Sequence, residues 1–474
     1  MKVSLLSKVM LLTLSVLLVF GLIACAPQGS LDEGIINSIH ISDGSDEISD
    51  TTSEDEVSVP EGTAHPPVIT GIFNVTPTQV IITGTCDEGC SVTITDGEKD
   101  VTVQSIEGYF VAEFYIASDV AFTILSATAH SEELETSPIT SFRADYKSTA
   151  MKRIDGLGVT MGVNSHFYYD TELEYYVGRS TLLTQTQIKN FKNYVNSRYT
   201  AFKNRAGNAD VKLVYVLIPN RITIYPEVLA EGTQKETYKT RYDQIAEALA
   251  DTNAVVLDMA DAFKAAKENG QKVYYNTDNH LTEYGGYLVY KAICDLMTEK
   301  FPAAAARDLE SEFTSNTSVL KGGNTARHLG VDINVVKETS TLYTPKFSLN
   351  IGREDSSVTT SSGYIKNFAK YASNDSMYLA TGKESLSTRL LFATNRTNLP
   401  CALIYRDDFA VSFSDILAER FNKVLLAQSG DFTINMTDAQ RYTGINQQTG
   451  ANNTTVDYIF IIVSESNLGS IIGS

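Results

Sequence analysis

"CALIYRDDFAVSFSDILAERF", residues 401–421, decides how this chain is read. "CALIY" runs without a polar break, as a strand buried on both faces does, and "VSFSDILAERF" then takes up helical spacing. Arg406, Asp407 and Asp408 sit on the turn between them. In an open α/β sheet, ligands bind beyond the carboxyl ends of the strands, so two adjacent carboxylates at such an end mark a candidate site or a polar turn.

The same alternation extends outward on both sides. "TQTQIKNFKNYVNSRYTAFKNRAG" (184–207) has a 3.6-residue period, "KLVYVLIP" (212–219) is a buried strand, and "YKTRYDQIAEALADT" (238–252) is a helix. "AVVLDM" and "ADAFKAAKENG" follow as a strand and a helix closed by Gly270, and Thr282 is placed to cap a helix through "EYGGYLVYKAICDLMTEKF". "KVLLAQ" and "VDYIFIIVS" complete the pattern toward the C-terminus. Strand, helix and strand in this order predict a mostly parallel sheet flanked by helices over about 150–474. A loop-rich insertion or lid is expected at about 305–395. Before this region, short period-two strands separated by turns every 8–12 residues predict a small all-β sandwich of immunoglobulin-like architecture, at about 65–145. It holds no cluster of catalytic residue types and reads as a spacer or weak binding module.

The N-terminus addresses location. Lys2 and Lys8 precede "VMLLTLSVLLVFGLIAC", whose end resembles a bacterial lipoprotein signal cleaved before Cys25, residues 1–25, with Cys25 carrying the lipid. The expectation is therefore an extracytoplasmic protein held to the cell membrane by a lipid anchor. Residues 26–64 contain ten acidic side chains and no Lys or Arg, a composition that repels itself and predicts a disordered tether. Over 474 residues, 57 acidic against 38 basic side chains give a formal charge of −19, which argues against nucleic acid as a partner. Cys86 and Cys90 either bridge across a tight turn or stay reduced on a loop, while Cys294 and Cys401 fall in apolar patterns and read as packing residues. No cofactor is expected, and the ligand spacing of a zinc site is absent.

Two residues apart, Asp278 and His280 stand just ahead of the helix that Thr282 begins. A carboxylate in that position can orient the imidazole and leave its other nitrogen free as a general base, although "DNH" also suits a solvated polar loop.

"NTDNHLTEYGGYLVYKAI" (276–293), "VLIPNRITIYPEVLA" (216–230), "LPCALIYRDDFAVSFSDILAERFNKVLL" (399–426) and "VDYIFIIVSESNL" (456–468) stand in an order that resembles the alginate O-acetyltransferase and DHHW family, whose members have an SGNH-hydrolase-like domain. The resemblance spans about 155–468. It implies a triad in which Asp278 orients, His280 is the base, and Asp408 occupies the position of the serine that carries the acetyl group to a polysaccharide hydroxyl or to water. An acyl group on an aspartate is a mixed anhydride rather than an ester, so Asp408 is not expected to act as that nucleophile. Leu281 replaces an aromatic and Ala410 a glycine of the family's blocks; Ser412 and Ser414 lie further into the helix.

What the resemblance leaves is a cleft with Asp278, His280, Arg406, Asp407 and Asp408, roofed by Arg221 and Tyr225. Three uses stay open. A glycan can be bound by carboxylates with Arg221, Tyr225, Arg406 and Asp407 as substrate contacts; a divalent metal can be held by the two aspartates and His280; or Asp407 caps the helix while Asp408 pairs with Arg406. The expected function is a cell-surface lipoprotein with a degenerate acetyltransferase-like domain that binds or organises an envelope polysaccharide or peptidoglycan, alongside a partner protein of a polysaccharide-modification system. The alternatives are an active O-acetyltransferase or acetylesterase on such a polymer, and a purely structural envelope protein.

Overall fold

Strand β10 (Lys212–Ile218) shows why the central sheet carries helices on both sides: all but its first residue are buried. Val214, Val216 and Ile218 face one apolar core, whereas Leu213, Tyr215 and Leu217 face another. A strand covered on both faces needs no polar alternation, which is the pattern read in the sequence. The computed structural model describes residues 59–472 apart from 75–77, 118–119, 147–157, 163–165, 179–181, 206–209, 230–234, 236–238, 350, 356–368, 372–389, 395, 428–429, 431 and 433–455. Cys25 and residues 26–58 of the acidic segment lie outside the described residues.

The first strands are β1 (Val68–Asn74), β2 (Gln79–Thr85), β3 (Ser91–Thr95), β4 (Asp100–Gln104), β5 (Tyr109–Tyr115), β6 (Phe122–His130) and β7 (Thr140–Asp145). They form two antiparallel sheets, ordered β1-β2-β5 and β4-β3-β6-β7, around one apolar cluster. The immunoglobulin-like sandwich is corrected here. A constant-type immunoglobulin arrangement would place the fourth strand beside the fifth, in the sheet of the first and second. Here β4 leaves β3 by a short turn and stays paired to it. The chain also has no tryptophan, and Cys86 and Cys90 are free thiols.

The next elements are β8 (Val159–Met161), β9 (Phe167–Tyr169), α1 (Asp170–Val177), α2 (Gln185–Arg205), then β10, α3 (Arg221–Ile224), α4 (Arg241–Ala250), β11 (Val255–Asp258), α5 (Ala260–Glu268) and α6 (Glu283–Thr298). Thr240 begins α4 with a capping box closed by Asp243, and Thr282 caps α6 by accepting the N–H of Gly285, as its position predicts. The stretch 305–395 holds β12 (Phe313–Lys321), α7 (Asn324–Leu329), β13 (Lys337–Pro345), β14 (Ile351–Asp355), β15 (Ala369–Tyr371) and β16 (Leu390–Ala393). Finally come β17 (Cys401–Arg406), α8 (Ser414–Ala418), β18 (Lys423–Leu426) and β19 (Tyr458–Ser464).

The large sheet is ordered β11-β10-β19-β17-β18-β16-β14-β15. Its first five strands are parallel and the last three are added antiparallel. The expected mostly parallel sheet is thus corrected to an α/β fold with mixed sheets. Among the described residues four strand pairs are parallel and ten antiparallel. The connection from β16 to β17 explains part of this. It is too short for the crossover of a dozen or more residues that a parallel return needs, so β16 enters antiparallel to β18. Because β10, β19 and β17 run the same way, their carboxyl ends, near Ile218, Ser464 and Arg406, share one edge of the sheet.

Candidate functional site

That edge carries the site. At the end of β17 the two aspartates part company. Asp407 is 1% exposed. Its Oδ2 accepts the Ser464 N–H at 2.6 Å and Asn467 Nδ2 at 3.1 Å, and its Oδ1 accepts the Phe409 N–H at 3.2 Å. Burial and the neighbouring Asp408 charge push its carboxyl pKa up, against the donors that hold it down. Asp408 instead turns outward, with 42% of its side chain exposed, and sets its Oδ2 3.3 Å from His280 Nε2.

The other half of the site is the loop before α6. His280 Nδ1 lies 2.6 Å from Asp278 Oδ1, which also accepts the His280 N–H at 3.0 Å. Asp278 Oδ2 accepts the N–H of Asn324 at 2.8 Å, at the start of α7. This docking requires a glycine before Asn324: a Cβ on Gly323 would stand 2.5 Å from the Cβ of Asp278 and 2.6 Å from its Oδ2. The ring of Phe409 packs 5.1 Å from that of His280, tilted by 38°.

Asp278, His280 and Asp408 therefore form one continuous chain of polar contacts. Burial alone would lower the pKa of His280. The charge and hydrogen bond of Asp278, and then those of Asp408, outweigh it and hold the imidazole well above its ordinary value. Burial would likewise raise Asp278, yet the His280 charge, its hydrogen bond and the N–H groups of Asn324 and His280 bring it down to about 2. Burial opposes the downward shift of Asp408 too, and the hydrogen bond and charge of His280 prevail. At neutral pH the chain is carboxylate, imidazolium, carboxylate. Both ring nitrogens then donate, and the Asp408 carboxylate, with 42% of its side chain exposed, is the acceptor that reaches solvent.

The remaining sequence candidates stand behind this chain. Arg221 is 1% exposed, and its Nη1 donates at 2.9 Å to each of the carbonyls of Tyr275, Asn276 and Asp278. Tyr225 accepts the Val273 N–H on its hydroxyl at 3.0 Å. Arg406 is 2% exposed, with Nη1 3.4 Å from its neighbour's carbonyl. Leu281 and Ala410 are core residues. Ser414 donates its hydroxyl to the Ala410 carbonyl at 2.7 Å, and the buried Ser412 hydroxyl lies against Gly286 of α6. With Asp407 turned to Ser464, no group of three or more His, Cys, Asp and Glu among the described residues is placed to hold a metal ion.

Several residues at the site were not singled out from sequence. Glu338 on β13 is 3% exposed and accepts the N–H groups of Asn276 at 2.7 Å and Thr277 at 3.0 Å. Tyr169 on β9 meets His328 of α7, hydroxyl to Nδ1, at 2.7 Å. Glu172 lies 3.8 Å from Arg221 Nη2. The glycine pair before Asn324 is a visible turn signal, whereas Glu338 has none, because "KETSTLY" offers no apolar contrast to mark its inward face.

Comparison with known proteins bears on residues 164–343, which match a family model described as "SGNH hydrolase-like domain, acetyltransferase AlgX". A probable alginate O-acetylase AlgJ of Azotobacter vinelandii is 27% identical over 132 residues, 28% of this chain and 31% of that protein. Its namesake from Pseudomonas fluorescens is 25% identical over 92 residues, 19% of this chain and 23% of that protein. The matched stretch thus spans less than a third of either curated relative. Among solved structures, a DHHW family protein from Eubacterium siraeum aligns over 68% of this chain and 94% of its own, with a TM-score of 0.44 and 17% identity. PatB1 of Bacillus cereus aligns over 67% of this chain and 99% of its own, with a TM-score of 0.46 and 16% identity.

Proposed function

We propose, from the match of residues 164–343 to the SGNH-hydrolase-like acetyltransferase model and from the site geometry, that this chain transfers or hydrolyses acetyl esters on an envelope polysaccharide at Asp278, His280 and Asp408. The observation that carries the proposal is the unbroken contact chain from Asp278 through His280 to Asp408 at the carboxyl end of β17, 2.6 Å and 3.3 Å long. The names of the curated relatives supply the substrate class. The apolar segment ending at Cys25 supports an extracytoplasmic place, with lipid on that cysteine and residues 26–64 as the tether.

The family resemblance implies a serine at the position of Asp408, and with an aspartate there the transfer proceeds without an acyl-enzyme. A water or sugar hydroxyl hydrogen-bonds to the partly exposed Asp408 carboxylate. As its oxygen bonds to the acetyl carbon, its proton passes to the Asp408 carboxylate. The tetrahedral centre then collapses, the old ester bond breaks, and the leaving oxygen takes that proton back. His280 stays protonated throughout and fixes Asp408 from Nε2, while Asp278 fixes His280 from the other side.

A second reading is favoured by one observation. With His280 held as imidazolium and Asp408 held below the usual carboxylate range, neither is a strong base at neutral pH. The same groups then serve to bind sugar hydroxyls without turnover. Acetate release from a chromogenic acetyl ester separates the two. The unmodified chain is expected to release acetate, and Asp408→Asn and His280→Ala to lose about 100-fold, within the usual range for a general base. Turnover only after Asp408→Ser would establish the binding reading instead.

A further inference from the structure

We infer that Arg221 and Glu338 are positioning residues that clamp the backbone of residues 275–278 between two buried opposite charges and so set the contact between Asp278 and His280. The inference rests on the reading of that pair given above and adds two residues to it. The carbonyls of Tyr275, Asn276 and Asp278 all converge on Nη1 of Arg221. From the other direction, Glu338 Oε2 accepts the Asn276 N–H, and its Oε1 accepts the N–H and hydroxyl of Thr277.

The two clamps come from separate parts of the fold. Arg221 opens α3, directly beyond the carboxyl end of β10, and its Nη2 also donates to the Phe167 carbonyl. Glu338 projects from β13, on the ribbon it forms with β12. Both are nearly fully buried, at 1% and 3% exposure, so neither reaches a polymer unless the loop moves. Each charge has its own counter-charge, Glu172 at 3.8 Å from Arg221 and Lys272 at 2.7 Å from Glu338.

A loop of four residues would ordinarily leave its peptide groups to water. Here the carbonyls of Tyr275 and Asn276 point to a cation and the N–H groups of Asn276 and Thr277 to an anion, so two successive peptide dipoles are aligned between them. Removing either charge strands several backbone groups in a buried place, and the cheapest relief is a shift of the loop. Asp278 ends that loop. Its Oδ2 is fixed by Asn324, so a displaced backbone rotates Oδ1 away from Nδ1. His280 then loses the partner that contributes most to keeping it protonated.

The test is the titration of His280 in the full chain, followed by NMR of labelled imidazoles, in the unmodified protein, Arg221→Lys and Glu338→Gln. Lysine keeps the charge but offers one nitrogen where Arg221 uses two, Nη1 for the loop carbonyls and Nη2 for that of Phe167, and glutamine turns an amide donor toward backbone N–H groups. The expected result is a downward shift of the His280 midpoint by about one unit in each variant. An unchanged His280 midpoint in a folded variant would overturn the inference. Amide exchange in the unmodified protein guards against a variant that fails to fold. The Asn276 and Thr277 amides should exchange as slowly as those of β10, and rapid exchange there would equally overturn it. Both readouts are made without substrate, so absence of turnover, which counts against the proposed function, leaves them to be decided separately.

Discussion

The loop that brings Asp278 and His280 to the site and the turn that brings Asp408 are built in opposite ways. The loop is gripped from outside, by Arg221, Glu338 and the Asn324 N–H. The turn is gripped from inside, by its own Asp407, whose carboxylate ties the end of β17 to the end of β19. Adjacent aspartates therefore divide the labour. Asp407 secures the turn, which frees Asp408 to face His280 with 42% of its side chain exposed. A pair of identical side chains in sequence is thus a pair of unlike groups in space, and burial rather than residue type separates them.

The sharpest way to break this contrast is to remove each aspartate in turn. Asp407→Ala leaves the Ser464 and Phe409 N–H groups and the Asn467 amide without their acceptor, and should cost about 2–4 kcal/mol in chemical denaturation. Asp408→Ala, where 42% of the side chain is exposed, should cost less, about 1 kcal/mol or below. Equal losses would dissolve the distinction.

Smaller in effect is the response of stability to pH. The folded protein keeps His280 protonated where the unfolded chain, with an imidazole near 6.5, has released the proton. That contribution is complete below the unfolded value and is lost as pH rises through the raised folded one. Glu172, pushed up to about 7 by burial in spite of Arg221, acts in the same direction from its ordinary 4.5 upward. Asp278 acts oppositely, its contribution disappearing as pH falls from 3.8 toward about 2. Denaturation midpoints should therefore be highest near pH 4 to 5 and decline toward alkaline pH, with the decline above pH 6.5 flattened in His280→Asn. A midpoint that rises across neutrality would contradict the charge assignment.

Much of the fold was legible because apolar runs and helix caps are local signals. "KLVYVLI", "CALIY" and "YIFIIVS" each became a buried strand of the same sheet, and Thr282 capped the helix after the histidine. Strand direction was not legible. Nothing local in Leu390–Ala393 states that it enters antiparallel to β18, and that depends on a connection too short to cross over. Thr140–Asp145, within the expected all-β region, was not recognised as a strand, because most of its side chains are at least partly exposed and its polar sequence carries little alternation. At the site, Asp278, His280 and Asp408 were reached from family-like blocks, and the structure brings them together. Arg221 was read as a substrate contact, since an arginine near a cleft carries no sequence mark of the carbonyls it will meet. Glu338 was invisible for the converse reason: a buried carboxylate in a polar strand resembles a solvated one until its backbone partners are known.

The most direct test of the account is a single quenched reaction of the unmodified chain with an acetyl-ester donor and a polysaccharide acceptor, in which released or transferred acetyl and the intact mass of the protein are measured together. The proposed chemistry predicts acetyl transfer or acetate release with no acetyl group left on the chain. Acetylated protein, or acetyl release that occurs only once Asp408 is replaced by serine, would contradict it.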